Sequence, residues 1–171
     1  MNKTAIIETN RLTLREQTTK DAEFILALMN DPEWIKYIGD RGVGTVKEAR
    51  NYILDGAGAM YQQHGFGLYL IELKEDKESI GICGLVKRDS LDDVDLGFAL
   101  APVYRGKGYA YEAAKATVNY GRKVVGLKRI AAIASPSNTK SIKLLEKLGF
   151  LFEKPISASG GDKVHKFVLT L

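Results

Sequence analysis

LAPVYRGKGYA, residues 100–110, is the stretch of sequence that decides the fold. An apolar, strand-like run at 94–100 leads into it, and a long helical pattern follows its two glycines. The first N–H groups of a helix have no intrahelical partner and carry the positive end of the helix dipole. A strand–loop–helix junction with two cations, Arg105 and Lys107, therefore predicts a site for an anion such as a phosphate.

The segment after this loop predicts a long helix that lies close against a sheet. Its apolar stripe is made mostly of small residues at helical spacing: Ala110, Ala113, Ala114, Thr117, Val118, Gly121, Val124 and Val125. A strand-like run at 128–134 comes next. A strand, a crossover helix and a second strand predict a parallel pair between 94–100 and 128–134.

The remaining periodicity predicts an α+β, or mixed α/β, fold. Strands are predicted at 11–15, 66–73, 79–86, 94–100, 128–134, 150–156 and 164–171, the last two around a turn at 158–162. Helices are predicted at 22–29, 45–60, 110–125 and 142–148, with a short helical turn at 33–37. The expected architecture is a twisted, mostly antiparallel sheet of six to seven strands with one parallel pair, flanked by about four helices.

Length and composition favour one soluble domain over residues 1–171. The chain has 171 residues, of which 45% are apolar and 27% charged, as in ordinary globular proteins. No run approaches the roughly 18 apolar residues of a membrane span. The first eight residues lack the basic and apolar regions of an export signal, so we expect a cytoplasmic protein without a membrane partner.

Cysteine, histidine and charge exclude several classes of site. The single cysteine, Cys83, lies in an apolar run and is interpreted as a buried, inert thiol rather than a nucleophile. His64 and His165 lie far apart, and no Cys or His cluster has the spacing of a metal site, so we expect no metal. The net charge of +4 is spread along the chain, which does not support a nucleic-acid partner.

The loop carries a resemblance to a known family. RGKGYA, residues 105–110, is similar to the Arg/Gln-x-x-Gly-x-Gly/Ala signature of the GNAT superfamily of N-acetyltransferases. Six residues with such loose requirements would be a weak signal alone. Three further stretches resemble the ribosomal-protein N-terminal acetyltransferase (RimJ/RimL-like) branch: ETNRLTLR at 8–15, HGFGLY at 64–69, and the segment from Asn138 to Phe150 with its EKLGF ending. The resemblance spans nearly the whole chain.

This resemblance implies acetyl-CoA as co-substrate and assigns a set of binding residues. The pyrophosphate would lie on the backbone from Gly106 to Ala110, with Arg105 and Lys107 nearby. In the family the strand before the loop splays from its parallel neighbour, and the pantetheine arm pairs with the free edge as an added strand. The resulting candidate residues for acetyl-CoA are Phe98, Ala99, Leu100, Arg105, Gly106, Lys107, Gly108, Tyr109, Ala110, Asn138 and Ser141.

Structural interpretations of these residues stay open. The glycines of the loop could form only a tight turn, and Lys107 could be a solvated loop charge. Asn138 could be only a helix N-cap, and Ser141 only an exposed residue of a first helical turn. A single matching residue does not distinguish a structural role from a functional one.

Proton handling is implied for two residues. Attack by an amine on a thioester requires the neutral amine, and the departing thiolate benefits from a proton donor. By the resemblance, Ser141 occupies the position where many members place a tyrosine donor. Asp95 occupies the position of a glutamate in the branch and would act as base, directly or through a water. A strand-end carboxylate without a catalytic role is the alternative for Asp95. A main-chain N–H near Phe98 would stabilise the oxyanion.

The acceptor is the part that the sequence defines least. By the resemblance, residues 18–63 form much of the acceptor wall, with Trp34, Tyr37 and Tyr52 as pocket or core residues. We expect transfer of acetyl to a primary amine, either a protein N-terminus or a small molecule, by direct attack in a ternary complex. The alternative is a catalytically weak acyl-CoA-binding or regulatory module. A P-loop is excluded because the loop lacks the Gly-Lys-Ser/Thr ending. A homodimer is one option for an oligomeric state that the sequence does not fix.

Overall fold

Eight strands form one sheet in the computed structural model, which describes residues 4–158 and 161–171. The strands are β1 (Ala5–Glu8), β2 (Leu12–Glu16), β3 (Leu68–Leu73), β4 (Ser79–Val86), β5 (Asp95–Leu100), β6 (Arg129–Ala134), β7 (Leu151–Ser157) and β8 (Lys163–Thr170). Their order across the sheet is β1-β2-β3-β4-β5-β6-β8-β7. Within the predicted turn at 158–162, Ser159 and Gly160 lie outside the described residues.

The helices lie on both faces of this sheet. They are α1 (Ala22–Met29), α2 (Pro32–Tyr37), α3 (Val46–Ile53), α4 (Ala59–His64), α5 (Tyr109–Tyr120) and α6 (Thr139–Lys147). A π-helical segment, Leu54–Gly58, joins α3 to α4, and a second one, Gly121–Val125, extends α5. Among the described residues, no helix combines the length and the apolar character needed to cross a membrane.

The α+β class and the strand pairing agree with the sequence, and the strand count differs. The sheet has eight strands rather than six to seven, because β1 forms a hairpin with β2 in which Ile7 pairs with Leu14. A strand of four residues is too short to show a clear period. The described residues form six α-helices rather than about four, because α2 is a helix in its own right and a π-helical segment separates α3 from α4.

Two apolar clusters hold the helices to the sheet. On one face, Ala113, Ala114 and Leu145 of α5 and α6 are fully buried against β4, β5 and β6. A Cβ at Gly121 would lie 3.1 Å from the Ile130 side chain, so the predicted stripe of small residues does permit close approach. On the other face, α1 and α3 pack against β3 and β4 through a second cluster that contains Ile25, Ala49, Ile53, Leu70 and Ile82.

The sheet opens between β5 and β6. The strands run parallel as predicted, but they pair at one position only, Asp95 with Ala131. Beside them β4 and β5 pair over their full length. Beyond the Asp95–Ala131 pair, β5 leaves β6 and creates a gap in the middle of the molecule.

Ion pairs join the two halves of the sheet at the closed end of this gap. Asp93, just before β5, contacts Arg129 of β6 and Lys166 of β8, each at 3.1 Å. Glu153 of β7 contacts the same two cations at 2.5 and 3.0 Å. The four side chains form a closed ring of alternating charge, which holds the loop before β5 against the last three strands.

Candidate active site

A cleft of about 1350 Å³ occupies the gap between β5 and β6. It has two walls. The loop wall is formed by segments 98–110 and 138–141, and the helix wall by segments 31–39 and 52–60; most residues of these segments line the cleft. Pockets for one small ligand usually measure about 300–1,000 Å³, so this cleft exceeds the usual size of such a pocket.

The backbone of the loop wall presents free donors at the start of α5. Gly106 and Gly108 adopt φ of +76° and +84°, a left-handed conformation that favours glycine. The first hydrogen bond of α5 is donated by Glu112 N–H to Gly108 O, and no side chain caps the helix. In the described part of the chain, the N–H groups of residues 106–110 therefore donate to no protein acceptor. Such a set of free donors at a helix start suits an anion.

Residues of the β1–β2 turn fix this loop in place. Arg11 donates from Nη1 to Lys107 O at 3.2 Å, and its Nε lies 2.8 Å from Glu112 Oε1. Its guanidinium also stacks over the Tyr109 ring at 4.3 Å. Burial acts to raise the pKa of Glu112, but hydrogen bonds from Thr9 and Arg11 outweigh it and lower that pKa. The sequence contained Arg11 in a matched motif but gave it no role.

The side chain of Arg105 differs from its predicted role. Its Nε donates to Leu100 O at 3.1 Å, Nη2 to Asp31 Oδ2 at 2.6 Å, and Nη1 lies 2.9 Å from Glu33 Oε2. Two carboxylates of the helix wall therefore neutralise the charge that was expected to face a phosphate. Burial acts to raise the pKa of Asp31, yet the hydrogen bond from Arg105 outweighs it and the pKa is lowered.

Lys107 remains a solvent-exposed loop cation with no ion pair among the residues that the structure describes. Its charge is available to a ligand on the neighbouring N–H groups. Tyr109 and Ala110 form the first turn of α5 and line the cleft. Within the predicted basic pair, the available cation is thus Lys107 rather than Arg105.

The predicted strand edge is present, with one correction. Ala101 donates to Ile80 O of β4 at 2.8 Å. Because backbone groups alternate along a strand, Ala99 also turns its N–H and C=O toward β4, whereas Phe98 and Leu100 turn theirs toward the gap. Leu100 O is taken by Arg105. The edge groups open to a ligand are thus both groups of Phe98 and the N–H of Leu100, and the expected contribution of Ala99 is wrong for the backbone.

Asp95 lies at the closed end of the cleft and is almost completely buried, with 1% exposure. Arg88 donates from Nε to both carboxylate oxygens, at 3.1 and 3.2 Å. Burial raises the pKa of Asp95, and the opposing effect of Arg88 does not cancel it. The Cα atoms of Asp95 and Phe98 are about 10 Å apart along the strand, three residues at about 3.3 Å each. Arg88 was not identified from the sequence, since its position before a polar linker is typical of a solvated charge.

Asn138 and Ser141 lie at the start of α6 and line the cleft. Asn138 Oδ1 accepts a hydrogen bond from Ser141 N–H at 3.3 Å, which confirms the N-cap interpretation for this atom. The Ser141 side chain is half-buried, and its hydroxyl has no partner within the described residues.

The aromatic residues of the helix wall line the cleft, and one of them also belongs to the core. Trp34 is buried with 6% exposure and belongs to the second apolar cluster, yet it also lines the cleft. Its indole N–H is buried without a hydrogen-bond partner. Tyr37 is half-buried and Tyr52 is 37% exposed, and both line the cleft. For the two tyrosines, a pocket position fits better than a core position.

Cys83 is outside this arrangement. Its thiol is buried 3.4 Å from the Thr117 hydroxyl, and burial raises its pKa to about 12. The thiolate is therefore scarce near neutral pH, which confirms the prediction of an inert thiol. Within residues 4–158 and 161–171, no group of three or more His, Cys, Asp or Glu side chains is placed to hold a metal ion.

Comparisons with known sequences identify similar proteins. The profile of the acetyltransferase (GNAT) domain matches residues 11–151. The uncharacterized N-acetyltransferase p20 of Bacillus licheniformis is 35% identical over 145 residues, which cover 83% of this chain and 80% of p20. Spermidine N(1)-acetyltransferase of Escherichia coli K12 is 32% identical over 95 residues, which cover 55% of this chain and 47% of that enzyme.

Solved structures show the same fold. A GNAT-family acetyltransferase from Bacillus anthracis is 29% identical, with a TM-score of 0.79 over 96% of this chain and 97% of that one. RimL, a ribosomal L7/L12 α-N-protein acetyltransferase solved with coenzyme A, has a TM-score of 0.82 over 98% of both chains. Its identity of 16% makes this second likeness one of fold alone.

Proposed function

This chain belongs to the GNAT family of acetyltransferases, and from that premise we propose that it transfers acetyl from acetyl-CoA to a primary amine by direct attack in a ternary complex. The enzyme class follows from the family. The observation that supports the ternary complex best is the cleft, which is larger than one small ligand requires and has free backbone donors on one wall and exposed aromatic residues on the other.

The residues of the loop wall fit the CoA end of acetyl-CoA. The free N–H groups of Gly106, Lys107, Gly108, Tyr109 and Ala110 hold the pyrophosphate, and the Lys107 side chain adds an exposed positive charge. The arrangement adds one feature to the sequence-based prediction, since the Arg105 guanidinium is paired with Asp31 and Glu33 rather than free for a phosphate. Main-chain donors and one lysine then provide the binding.

The open edge of β5 fits the pantetheine arm. Phe98 N–H, Phe98 C=O and Leu100 N–H face the gap; the last two pair with the amides of the arm, as an added strand would, which leaves Phe98 N–H for the thioester oxygen. The acetyl thioester supplies an activated carbonyl carbon. Phe98 N–H also lies where it can donate to the oxyanion that develops during attack, an interaction typically worth about 3–4 kcal/mol. Asn138 and Ser141 face the arm from α6.

Two side chains handle protons in this proposal. Asp95 takes the proton of the acceptor amine through a water, because its carboxylate is buried and held by Arg88. Ser141 donates toward the departing thiolate, since its hydroxyl is free of other partners within the described residues.

The acceptor is proposed at the level of a primary amine. The cleft is lined by acidic and basic side chains alike, among them Glu33, Asp55, Lys36 and Arg41, so charge alone selects no acceptor. The spermidine acetyltransferase relative supports a small polyamine, and the RimJ/RimL-like motifs with the RimL fold support a protein N-terminus. Both acceptors are available in the cytoplasm, where we place the reaction.

A thiol-release assay tests the proposal. Purified protein is mixed with acetyl-CoA and a panel of polyamines, amino acids, aminoglycosides and N-terminal peptides, and free CoA is measured over time. Release that depends on one class of amine is the expected result. Calorimetric binding of CoA without turnover by any amine would favour the acyl-CoA-binding module, and sedimentation of the same sample would determine whether it is a homodimer.

A further inference from the structure

The side chain of Arg105 connects the two walls of the cleft. It starts in the loop wall and ends on two carboxylates of the helix wall, at 2.6 Å from Asp31 and 2.9 Å from Glu33. Its Nε donates to Leu100 O, at the end of the open strand edge. One guanidinium therefore contacts the strand edge and the first turn of α2 together.

Asp31 links the Arg105 ion pair to α2 and to Trp34. Asp31 is the N-cap of α2, and its Oδ2 accepts both the Arg105 Nη2–H and the Trp34 N–H, the latter at 3.3 Å. The carboxylate is 8% exposed, so solvent screens these bonds little. Any displacement of Arg105 is transmitted to the first turn of α2 by one shared oxygen.

Packing alone fixes α2 weakly. The helix has six residues, of which Trp34 alone is buried, and Ile35 and the following Ile38 are each 41% exposed. The chain leaves α2 through Gly39 and Gly42, both with positive φ. An element of this kind takes its position from a few polar contacts.

Trp34 leaves an unmade hydrogen bond in this arrangement. Its indole N–H is buried and has no partner in the described part of the chain, although Trp34 lines the cleft. Buried donors without partners are rare in native proteins because each loses its bond to water. The indole N–H would gain a hydrogen-bond partner if α2 changed position, or if a bound ligand offered an oxygen or nitrogen that accepts the bond.

We propose that Arg105 is a positioning residue that couples occupancy of the loop wall to the position of α2 and Trp34 in the helix wall. This rests on the proposed function, in which residues 106–110 hold the pyrophosphate of CoA. A diphosphate beside Arg105 competes with Asp31 and Glu33 for the guanidinium. The N-cap of α2 then shifts, so the acceptor side of the cleft differs before and after the cofactor binds.

The single tryptophan makes this coupling measurable, because Trp34 is the only tryptophan in the chain. CoA is titrated into the protein while heat is recorded by calorimetry, and a parallel titration records Trp34 emission with excitation beyond the adenine absorption. For the unmodified protein we expect an emission change that saturates with the calorimetric isotherm.

Two variants remove the coupling. Arg105→Gln removes the guanidinium, and Asp31→Asn removes the charge but retains a good N-cap. In both, the emission change at saturating CoA is lost, while the Kd for CoA changes by less than about fivefold, the lower end of typical coupling effects. Lys107→Gln is the matched control: it weakens CoA binding but keeps the full emission change at saturation.

The outcomes separate the coupling from the proposed function. Absence of calorimetric CoA binding by the unmodified protein would overturn the proposed function. Normal binding with no emission change, or a full change in Arg105→Gln, would overturn the coupling alone. A loss of CoA affinity in Arg105→Gln far above fivefold would make Arg105 a phosphate ligand instead. If circular dichroism shows that one variant does not fold, Glu33→Gln at the more exposed partner carries the same test.

Discussion

The two walls of the cleft are constructed from different parts of the polypeptide. The loop wall uses backbone groups of residues 106–110 and of Phe98, held in place by helix α5, whose Ala113, Ala114 and Thr117 are buried. The helix wall uses side chains, such as Tyr37 and Tyr52, on short helices that expose much of their surface. A backbone site recognises a constant group and tolerates side-chain changes. A side-chain site can change its ligand by substitution, which suits the acceptor half of a family with many acceptors.

The largest expected effect concerns Asp95, at the closed end where both walls meet. Asp95→Asn should lower kcat by about 100-fold, within the usual range for loss of a general base. Burial raises the pKa of this carboxyl. Since the base acts when deprotonated, the rate of the unmodified enzyme should rise with pH through that pKa, and the variant should lose this limb. The measurement is a pH–rate profile with the amine found in the panel.

Arg88→Gln is the companion variant for this profile. Arg88 acts to lower the pKa of Asp95 against the effect of burial. Its removal should move the acid limb to higher pH and leave the plateau rate nearly unchanged. An identical profile in both variants and the unmodified enzyme would exclude Asp95 as the base.

The second prediction tests whether the loop wall depends on backbone conformation. Gly108 and Gly126 have almost the same φ, +84° and +82°, but Gly126 ends α5 outside the cleft. Alanine at either position should lower the free energy of unfolding by about 1–2 kcal/mol, the cost of a left-handed residue with a Cβ. Only Gly108→Ala should also weaken CoA binding, by about tenfold. Equal CoA affinity in both variants would show that the loop does not hold the cofactor.

The third prediction concerns the helix wall. Tyr52→Ala removes an exposed ring from the cleft, and KM for the acceptor should rise about fivefold, the loss of roughly 1 kcal/mol of contact. The Kd for CoA and the melting temperature should stay unchanged, because the ring is not part of the core. A raised Kd for CoA would mean that the Tyr52 ring contributes to the CoA site as well.

The smallest expected effect is that of the exposed loop cation. Lys107→Gln should raise the Kd for CoA about threefold at low salt, in line with the modest strength of exposed ion pairs. The difference between the two proteins should shrink as salt is added, because exposed charges are screened. Calorimetry at two salt concentrations measures both points. A salt-independent loss would point to a packing role instead.

Local patterns were sufficient for the fold and for the backbone part of the site. The strand at Ser79–Val86 and the helix that follows Gly108 have clear periods, and the two loop glycines restrict the backbone by their own chemistry. Strand β1 was missed because four residues carry no period.

Contacts between distant residues could not be predicted from such patterns. Arg105 lies 74 positions from Asp31, and only the folded chain brings them together. The pair of Arg88 and Asp95 depends on a loop conformation, and the orientation of Ala99 depends on which neighbouring strand sets the hydrogen-bond alternation. Periodicity and motifs locate the site, whereas the electrostatic partners of its side chains depend on tertiary structure.

Both outer edges of the sheet are poor templates for another strand. At one end β1 has four residues, and at the other β7 has a register shift between Phe152 and Lys154 followed by Pro155, which has no N–H to offer. Both features disfavour the addition of a strand from a second molecule at these edges. Although Leu151 and Phe152 expose apolar surface on β7, concentrated solutions of this protein should resist amyloid-like assembly.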